Sequence, residues 1–337
     1  MFTVAVVGSG AIGLTTAIEL LEKLGNFIKV TIVADKFSPN TTSDIAAGLW
    51  EPYLLAENSE EDILRWGGET YQYLIKLFKQ GRANEAGICL QPIVNLFTKK
   101  EYSVPKWVRV TLGFNELSQC DLESFSKQYG RTFTAGFMFV GFTWEAAIFL
   151  PYLQRQFLEM NGTIIERHIE KLNELKEFDA IVNCTGFGAR ILCSDEAVLP
   201  IRGQITRVQA PWQYFTYLVQ CDEEEDSCYI IPNRDFVILG GTKQRSFNTH
   251  INPEDDEKIM RNATKLIPAI ASSKTVKRFV GLRPSRIRVR LEVDISDGLK
   301  IVHNYGHGGA GITLSIGCAK ETTNLVAKIL NIQTSKL

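Results

Sequence analysis

The chain has 337 residues, 45% of them hydrophobic and 22% charged, which is enough for one large or two modest domains with buried cores and excludes a disordered chain. With 37 basic against 38 acidic residues the net charge is -1, so no global field draws nucleic acid or anionic lipid, and neither is expected as a partner. Seven cysteines, scattered and never in a CxxC pair, signal neither a disulfide framework nor a metal site.

Residues 3–7 are β-branched and apolar and read as a strand. Gly8-Ser9-Gly10-Ala11-Ile12-Gly13 follows, then a helical run to about Leu24 and a second strand over 28–33. In such a βαβ unit Gly8 permits the tight turn, Gly10 lets a pyrophosphate approach the backbone, and Gly13 lets the helix sit against the strand. The helix N-terminus offers unpaired N–H groups and a partial positive charge to the phosphates. Asp35, at the end of the second strand, is placed to accept hydrogen bonds from a ribose. An adenine dinucleotide is therefore expected, with NAD and FAD both open at this point. The N-terminus has no basic segment, and its apolar run leads into this motif rather than into a signal-peptide cleavage site.

Residues 38–44 are rich in turn and capping residues and read as a loop with many donors. Residues 62–78 read as a helix with Ile63, Trp66, Tyr73, Leu74, Leu77 and Phe78 on its apolar face. The most apolar window, 136–150, is interrupted by Glu145 and stopped by Pro151, short of the roughly 20 residues of a membrane span. A helix over 154–160 is expected after that proline, and a strand over 179–184 ends at Thr185-Gly186-Phe187-Gly188. Short strands between residues 204 and 242 suggest an antiparallel sheet. The acidic runs 222–226 and 254–257 read as solvated loops. A second glycine-rich loop, Tyr305-Gly306-His307-Gly308-Gly309-Ala310-Gly311-Ile312-Thr313, opens a helix that runs to about Leu330. Two such loops favour a cofactor with two ends, the second helix dipole stabilising negative charge on a reduced flavin.

These segments resemble the D-amino acid oxidase family: the glycine loop 8–13, Asp35-Lys36-Phe37, Thr41-Thr42-Ser43-Asp44-Ile45-Ala46-Ala47-Gly48-Leu49, Val182-Asn183-Cys184-Thr185-Gly186, Arg202-Gly203-Gln204, Ala210-Pro211-Trp212, Tyr229-Ile230-Ile231-Pro232, Gly240-Gly241-Thr242, Gly281-Leu282-Arg283-Pro284 and His303-Asn304-Tyr305-Gly306-His307-Gly308-Gly309. They run in family order over nearly the whole chain. The resemblance implies an α/β fold, with a Rossmann-like FAD-binding domain from residues 1–50, 150–200 and 295–330. It also implies a substrate domain on a mostly antiparallel β-sheet from 51–149 and 201–294, and a tail over 331–337. The implied activity is oxidation of a D-amino acid by hydride transfer to non-covalent FAD, with oxygen as acceptor, giving a 2-oxo acid, ammonia and hydrogen peroxide. No residue is then needed as a general base.

By the same resemblance, Arg283 and Tyr229 hold the substrate α-carboxylate, a guanidinium fork matching a carboxylate bidentately, and Gly309 offers its carbonyl to the amine. FAD contacts are implied at Gly8, Ser9, Gly10, Ile12, Gly13, Asp35, Lys36, Thr42, Ser43, Gly48, Leu49, Ile169, Thr185, Gly308, Gly311, Ile312 and Thr313, with His307 structural beside the flavin.

Members acting on acidic substrates carry an arginine in Gly-Gly-Thr-Arg-Gln, where this chain has Gly240-Gly241-Thr242-Lys243-Gln244. Lys243 is the candidate for pairing a side-chain carboxylate, so D-aspartate and D-glutamate are the expected substrates, with Arg245 as a helper. Leu49-Trp50-Glu51-Pro52 is closer to the members acting on neutral D-amino acids, except that Glu51 replaces their glutamine, and neutral substrates are the alternative. The acidic reading requires the run 222–226 to face water. A silent dinucleotide-binding protein and a nicotinamide-linked dehydrogenase are the rival classes; Arg283, Tyr229 and the second glycine loop weigh against both. The terminal Ser335-Lys336-Leu337 matches the address read by the peroxisomal import receptor, so a peroxisomal location is expected.

Overall fold

A computed structural model describes residues 1–55, 57–98 and 102–333; the terminal tripeptide lies outside them. The strands are β1 (Phe2–Val7), β2 (Ile28–Ala34), β3 (Ile88–Phe97), β4 (Leu112–Glu116), β5 (Ala135–Trp144), β6 (Thr163–Glu166), β7 (Ala180–Asn183), β8 (Leu199–Gln209), β9 (Thr216–Gln220), β10 (Cys228–Pro232), β11 (Val237–Gly240), β12 (Lys274–Ser296) and β13 (Leu299–His307). The helices are α1 (Ala11–Leu24), α2 (Glu60–Lys79), α3 (Ala83–Ala86), α4 (Gln119–Tyr129), α5 (Ala146–Glu159), α6 (Ala189–Leu192), α7 (Pro253–Leu266) and α8 (Gly311–Ile329).

One mixed sheet carries all of these strands, in the order β4-β5-β3-β9-β10-β11-β8-β12-β13-β7-β1-β2-β6. From β13 to β6 every pairing is parallel. From β9 to β13 every pairing is antiparallel, and β3 joins β9 in parallel. The parallel strands are apolar because helices cover them: Val4, Ala5, Val6, Ile32 and Val182 are buried, and α1 packs against α8 beside β1. Both helices start at the C-terminal ends of parallel strands, where open α/β sheets bind ligands.

Four expectations change. Residues 136–150 are two elements, β5 and the start of α5, and Pro151 lies inside that helix rather than before it. Phe149, Leu150, Leu153 and Phe157 are buried at helical spacing, and this burial offsets the hydrogen bond that proline cannot donate. In α2 the buried face is Trp66, Thr70, Tyr71, Leu74 and Leu77, while Phe78 is 42% exposed, because the helix turns it past the stripe.

The acidic run 254–257 is no solvated loop. It forms the first turn of α7, where carboxylates suit the helix dipole, and Asn252 caps it by accepting from the Glu254 N–H at 2.9 Å. Asp255 is buried in an ion pair with Arg202 at 2.7 Å. The run 222–226 divides: Asp222, Glu223 and Glu225 face water, whereas Asp226 pairs with Arg131.

Candidate functional site

A cavity of about 1030 Å³ extends from the glycine loop between β1 and α1 to the antiparallel half of the sheet. At the first end Gly8 has φ +108°, a left-handed conformation that favours glycine. A Cβ on Gly13 would lie 1.9 Å from the Gly8 carbonyl oxygen, so Gly13 lets α1 close onto the turn. Gly13 is not among the described residues that line the cavity; it packs beneath the turn that does.

Around this loop, hydroxyls hold the backbone in place. Ser43 Oγ accepts from the Ala11 N–H at 3.0 Å, and Ser9 Oγ donates to the Lys36 carbonyl. The buried Asp44 accepts from Ser38 Oγ at 2.6 Å, and from the Thr41 N–H and hydroxyl at 2.9 and 2.6 Å. Both serine side chains, singled out for the cofactor, are thus engaged with the protein's own backbone while still lining the cavity. Asp35 follows β2, lines the cavity and shares a 3.0 Å hydrogen bond with His168 Nδ1.

The other end is assembled by long-range pairing. Tyr229 on β10 faces Gly240 on β11, and its ring crosses the space that a Cβ on Gly240 would occupy, 2.2 Å away. Similarly, the Arg283 guanidinium of β12 lies over Gly203 of β8, 2.4 Å from where a Cβ would stand. Arg283 donates to the Thr242 carbonyl at 3.1 Å, lies 5.9 Å from the Tyr53 ring, and has no ion-pair partner among the described residues. Burial pushes the Tyr229 hydroxyl above its ordinary range, and the neighbouring Arg283 opposes that shift.

Lys243 is half-buried on the same wall and likewise has no acidic partner among the described residues. Its backbone is positioned by its neighbours. Gln244 and Arg202 exchange backbone hydrogen bonds at 2.7 and 3.0 Å, and the Thr242 hydroxyl accepts from the Gln204 N–H at 2.6 Å. Arg202 is satisfied by Asp255, Gln204, Gln244 and two carbonyls, so its burial carries little penalty. Arg245, expected as a helper, is exposed and is not among the described residues that line the cavity.

Between the two ends, β13 leads into the second glycine loop. Gly308 has φ +56°, and a Cβ on Gly309 would meet the Tyr53 ring at 2.6 Å. His307 is buried on the cavity wall, its Nε2 has no partner among the described residues, and burial pushes its imidazole down to about 3, so it is neutral. The Thr313 hydroxyl accepts from the Glu51 N–H at 3.2 Å and donates to the Glu51 carbonyl at 3.0 Å, fixing the segment after Leu49 against the head of α8.

Apart from Gly13 and Arg245, the cofactor and substrate candidates singled out from the sequence line this one cavity: Gly8, Ser9, Gly10, Ile12, Asp35, Lys36, Thr42, Ser43, Gly48, Leu49, Ile169, Thr185, Gly308, Gly311, Ile312 and Thr313, together with Tyr229, Lys243, Arg283 and Gly309. Among the cavity residues left unassigned by the sequence are Tyr53 and Glu51. Tyr53 carried no sequence signal, and Glu51 stood out only as a departure from the family pattern.

The cavity fits a dinucleotide that carries a second reactive ring. One end is a cradle that side chains would fill, the other has the unpartnered Nε2 of His307, and two helix N-termini point toward it. The comparisons agree. A family profile described as FAD dependent oxidoreductase matches residues 3–325. The D-aspartate oxidase of Homo sapiens is 35% identical over 97% of this chain and 95% of that protein. The D-amino acid oxidase of Dugesia ryukyuensis is also 35% identical, over 97% of this chain and 98% of that protein.

This chain belongs to the D-amino acid oxidase family of FAD-dependent oxidoreductases. FAD is its cofactor. The fold agrees with solved flavoprotein oxidases: glycine oxidase from Geobacillus kaustophilus superposes with a TM-score of 0.75 at 20% identity, covering 98% of this chain and 95% of that one. In this chain the glycine loop 8–13, Asp35 and the 41–49 segment contribute to one stretch of the cavity lining, and the 307–313 loop contributes to another.

Proposed function

We propose that this enzyme oxidises acidic D-amino acids, D-aspartate first and D-glutamate second, to the 2-oxo acid, ammonia and hydrogen peroxide. The observation that carries the reading is Lys243. It lies on the cavity wall with Arg283, and neither cation has an acidic partner among the described residues. Two such cations suit the two carboxylates of the substrate, one at each end.

Bound FAD supplies the acceptor for the hydride that leaves Cα, and its reoxidation by oxygen yields the peroxide. The protein orients the substrate. Arg283 takes the α-carboxylate in a fork, its own geometry fixed by the Thr242 carbonyl and by the room that Gly203 leaves for the guanidinium. Tyr229, kept protonated by burial, donates its hydroxyl to the same carboxylate. The Gly309 carbonyl accepts from the substrate amine, and Tyr53 packs over that glycine and excludes water. His307 stays neutral and adds no charge beside the ring.

A second reading, oxidation of neutral D-amino acids, is favoured by one observation: Glu51 lines the same cavity, and an ionised carboxylate there would oppose an acidic side chain. Peroxide release with D-aspartate, D-glutamate, D-alanine and L-aspartate side by side separates the two. Turnover of D-aspartate well above D-alanine supports the acidic reading, and the reverse order overturns it. The location proposed with it is the peroxisome, through Ser335-Lys336-Leu337. Removing those three residues should leave the enzyme in the cytosol under the microscope, and an unchanged peroxisomal pattern would overturn that part.

A further inference from the structure

We propose that Glu51 is a specificity-determining residue of the substrate cavity, one that admits an acidic substrate side chain while it holds its proton and turns a dicarboxylate away once it is ionised. The inference rests on the acidic-substrate reading above and adds to it a condition on protonation.

Glu51 is 7% exposed, yet it lines the same cavity as Lys243 and Arg283, and the ring of Tyr53, two residues on, lies 5.9 Å from the Arg283 guanidinium. Its carboxylate accepts one long hydrogen bond, from Asn95 Nδ2 at 3.4 Å, and has no ion-pair partner among the described residues. Two buried polar atoms near it, Asn95 Oδ1 and the Tyr102 hydroxyl, have no hydrogen-bond partner among the described residues. A neutral carboxyl group brings an O–H donor to this corner, whereas an ionised one brings only charge. Burial accordingly pushes the Glu51 carboxyl up to about 8, with Asn95 countering it.

The titratable groups around it do not replace that proton. Tyr102, on the segment after β3, is pushed up by burial and by the charge of Glu51 itself. Tyr229 is pushed up by burial, and His307 is held neutral. Tyr53 and the cations Lys243 and Arg283 line the same cavity. Neither cation offsets the burial of Glu51, so an ionised Glu51 adds an uncompensated negative charge to the cavity that must also take a dicarboxylate. At low dielectric this repulsion opposes binding.

The test uses the FAD-loaded full chain and follows perturbation of the flavin absorbance on titration with succinate and with propionate, which differ by the second carboxylate. In the wild type, succinate should bind about ten-fold more weakly at about pH 9 than at about pH 7, as one proton linked to binding requires, with propionate changing less than about two-fold. In Glu51→Gln the succinate constant should vary less than about two-fold over the same interval. An equal slope for succinate in wild type and variant, or a flat wild-type profile, overturns the inference. If succinate gains nothing over propionate even at about pH 7, while the pH-dependent loss is still confined to the wild type, the acidic-substrate reading falls and the role of Glu51 stands. Should Glu51→Gln lose its flavin, the wild-type contrast between the two ligands decides by itself.

Discussion

The two ends of the FAD cavity are built in different ways. At the dinucleotide end, residues close in sequence do most of the work: Gly8, Gly10 and Gly13 shape one turn, and the 41–45 segment is pinned by its own hydroxyls and Asp44. At the proposed substrate end, Tyr229, Lys243, Arg283 and Glu51 come from four separate segments, two of them the sheet strands β10 and β12 and two of them loops, brought to one cavity by the tertiary fold. The first end tolerates almost no added atom, because backbone faces backbone. The second is more open to change, because side chains rather than backbone line it, with Gly203 and Gly240 leaving room for Arg283 and Tyr229.

The largest expected effect breaks the rigid end. Gly13→Val places atoms onto the Gly8 carbonyl, and the flavin-to-protein absorbance ratio should fall below about one tenth of the wild-type value. At the adjustable end, Arg283→Ala should keep its flavin and lose roughly 100- to 1000-fold in kcat/KM for every D-amino acid, a result read by steady-state kinetics. Lys243→Phe should be narrower still. The ratio of kcat/KM for D-aspartate over D-alanine should drop about 10- to 100-fold, and an unchanged ratio would remove Lys243 from the substrate.

A smaller effect concerns stability. The Glu51 carboxyl is raised in the folded state, so between about 4.5 and about 8 the folded chain holds a proton that the unfolded chain has lost, and stability falls as pH rises through that window. Glu51→Gln removes the dependence, and its melting temperature should pull ahead of the wild type by about 1–3 °C across the window. The smallest effect lies outside the cavity. Ser118 caps α4, accepting from the Asp121 N–H at 3.2 Å, and Ser118→Ala should cost about 1 kcal/mol in denaturant unfolding without moving the substrate ratio.

The same contrast decides what was legible beforehand. The glycine loop, the strand before it and Asp35 could be placed because each depends on backbone conformation and near neighbours. Pro151 misled, since a proline ordinarily marks a boundary and only the packing of Phe149, Leu153 and Phe157 keeps the helix intact around it. Asp255 misled in the same way: four acids in a row suggest water, yet Arg202 on a distant strand takes one of them into the interior.

Read alone, the sequence determined the βαβ start, the second glycine loop and the D-amino acid oxidase family, because motifs of this kind report local backbone geometry in a set order. Only the tertiary structure decided that Lys243 and Arg283 line one cavity without acidic partners among the described residues, that Tyr53 covers Gly309, and that Glu51 is buried along the same cavity. Those relations rest on which strands pair and on what water is excluded, and neither is written in the spacing of residues along the chain.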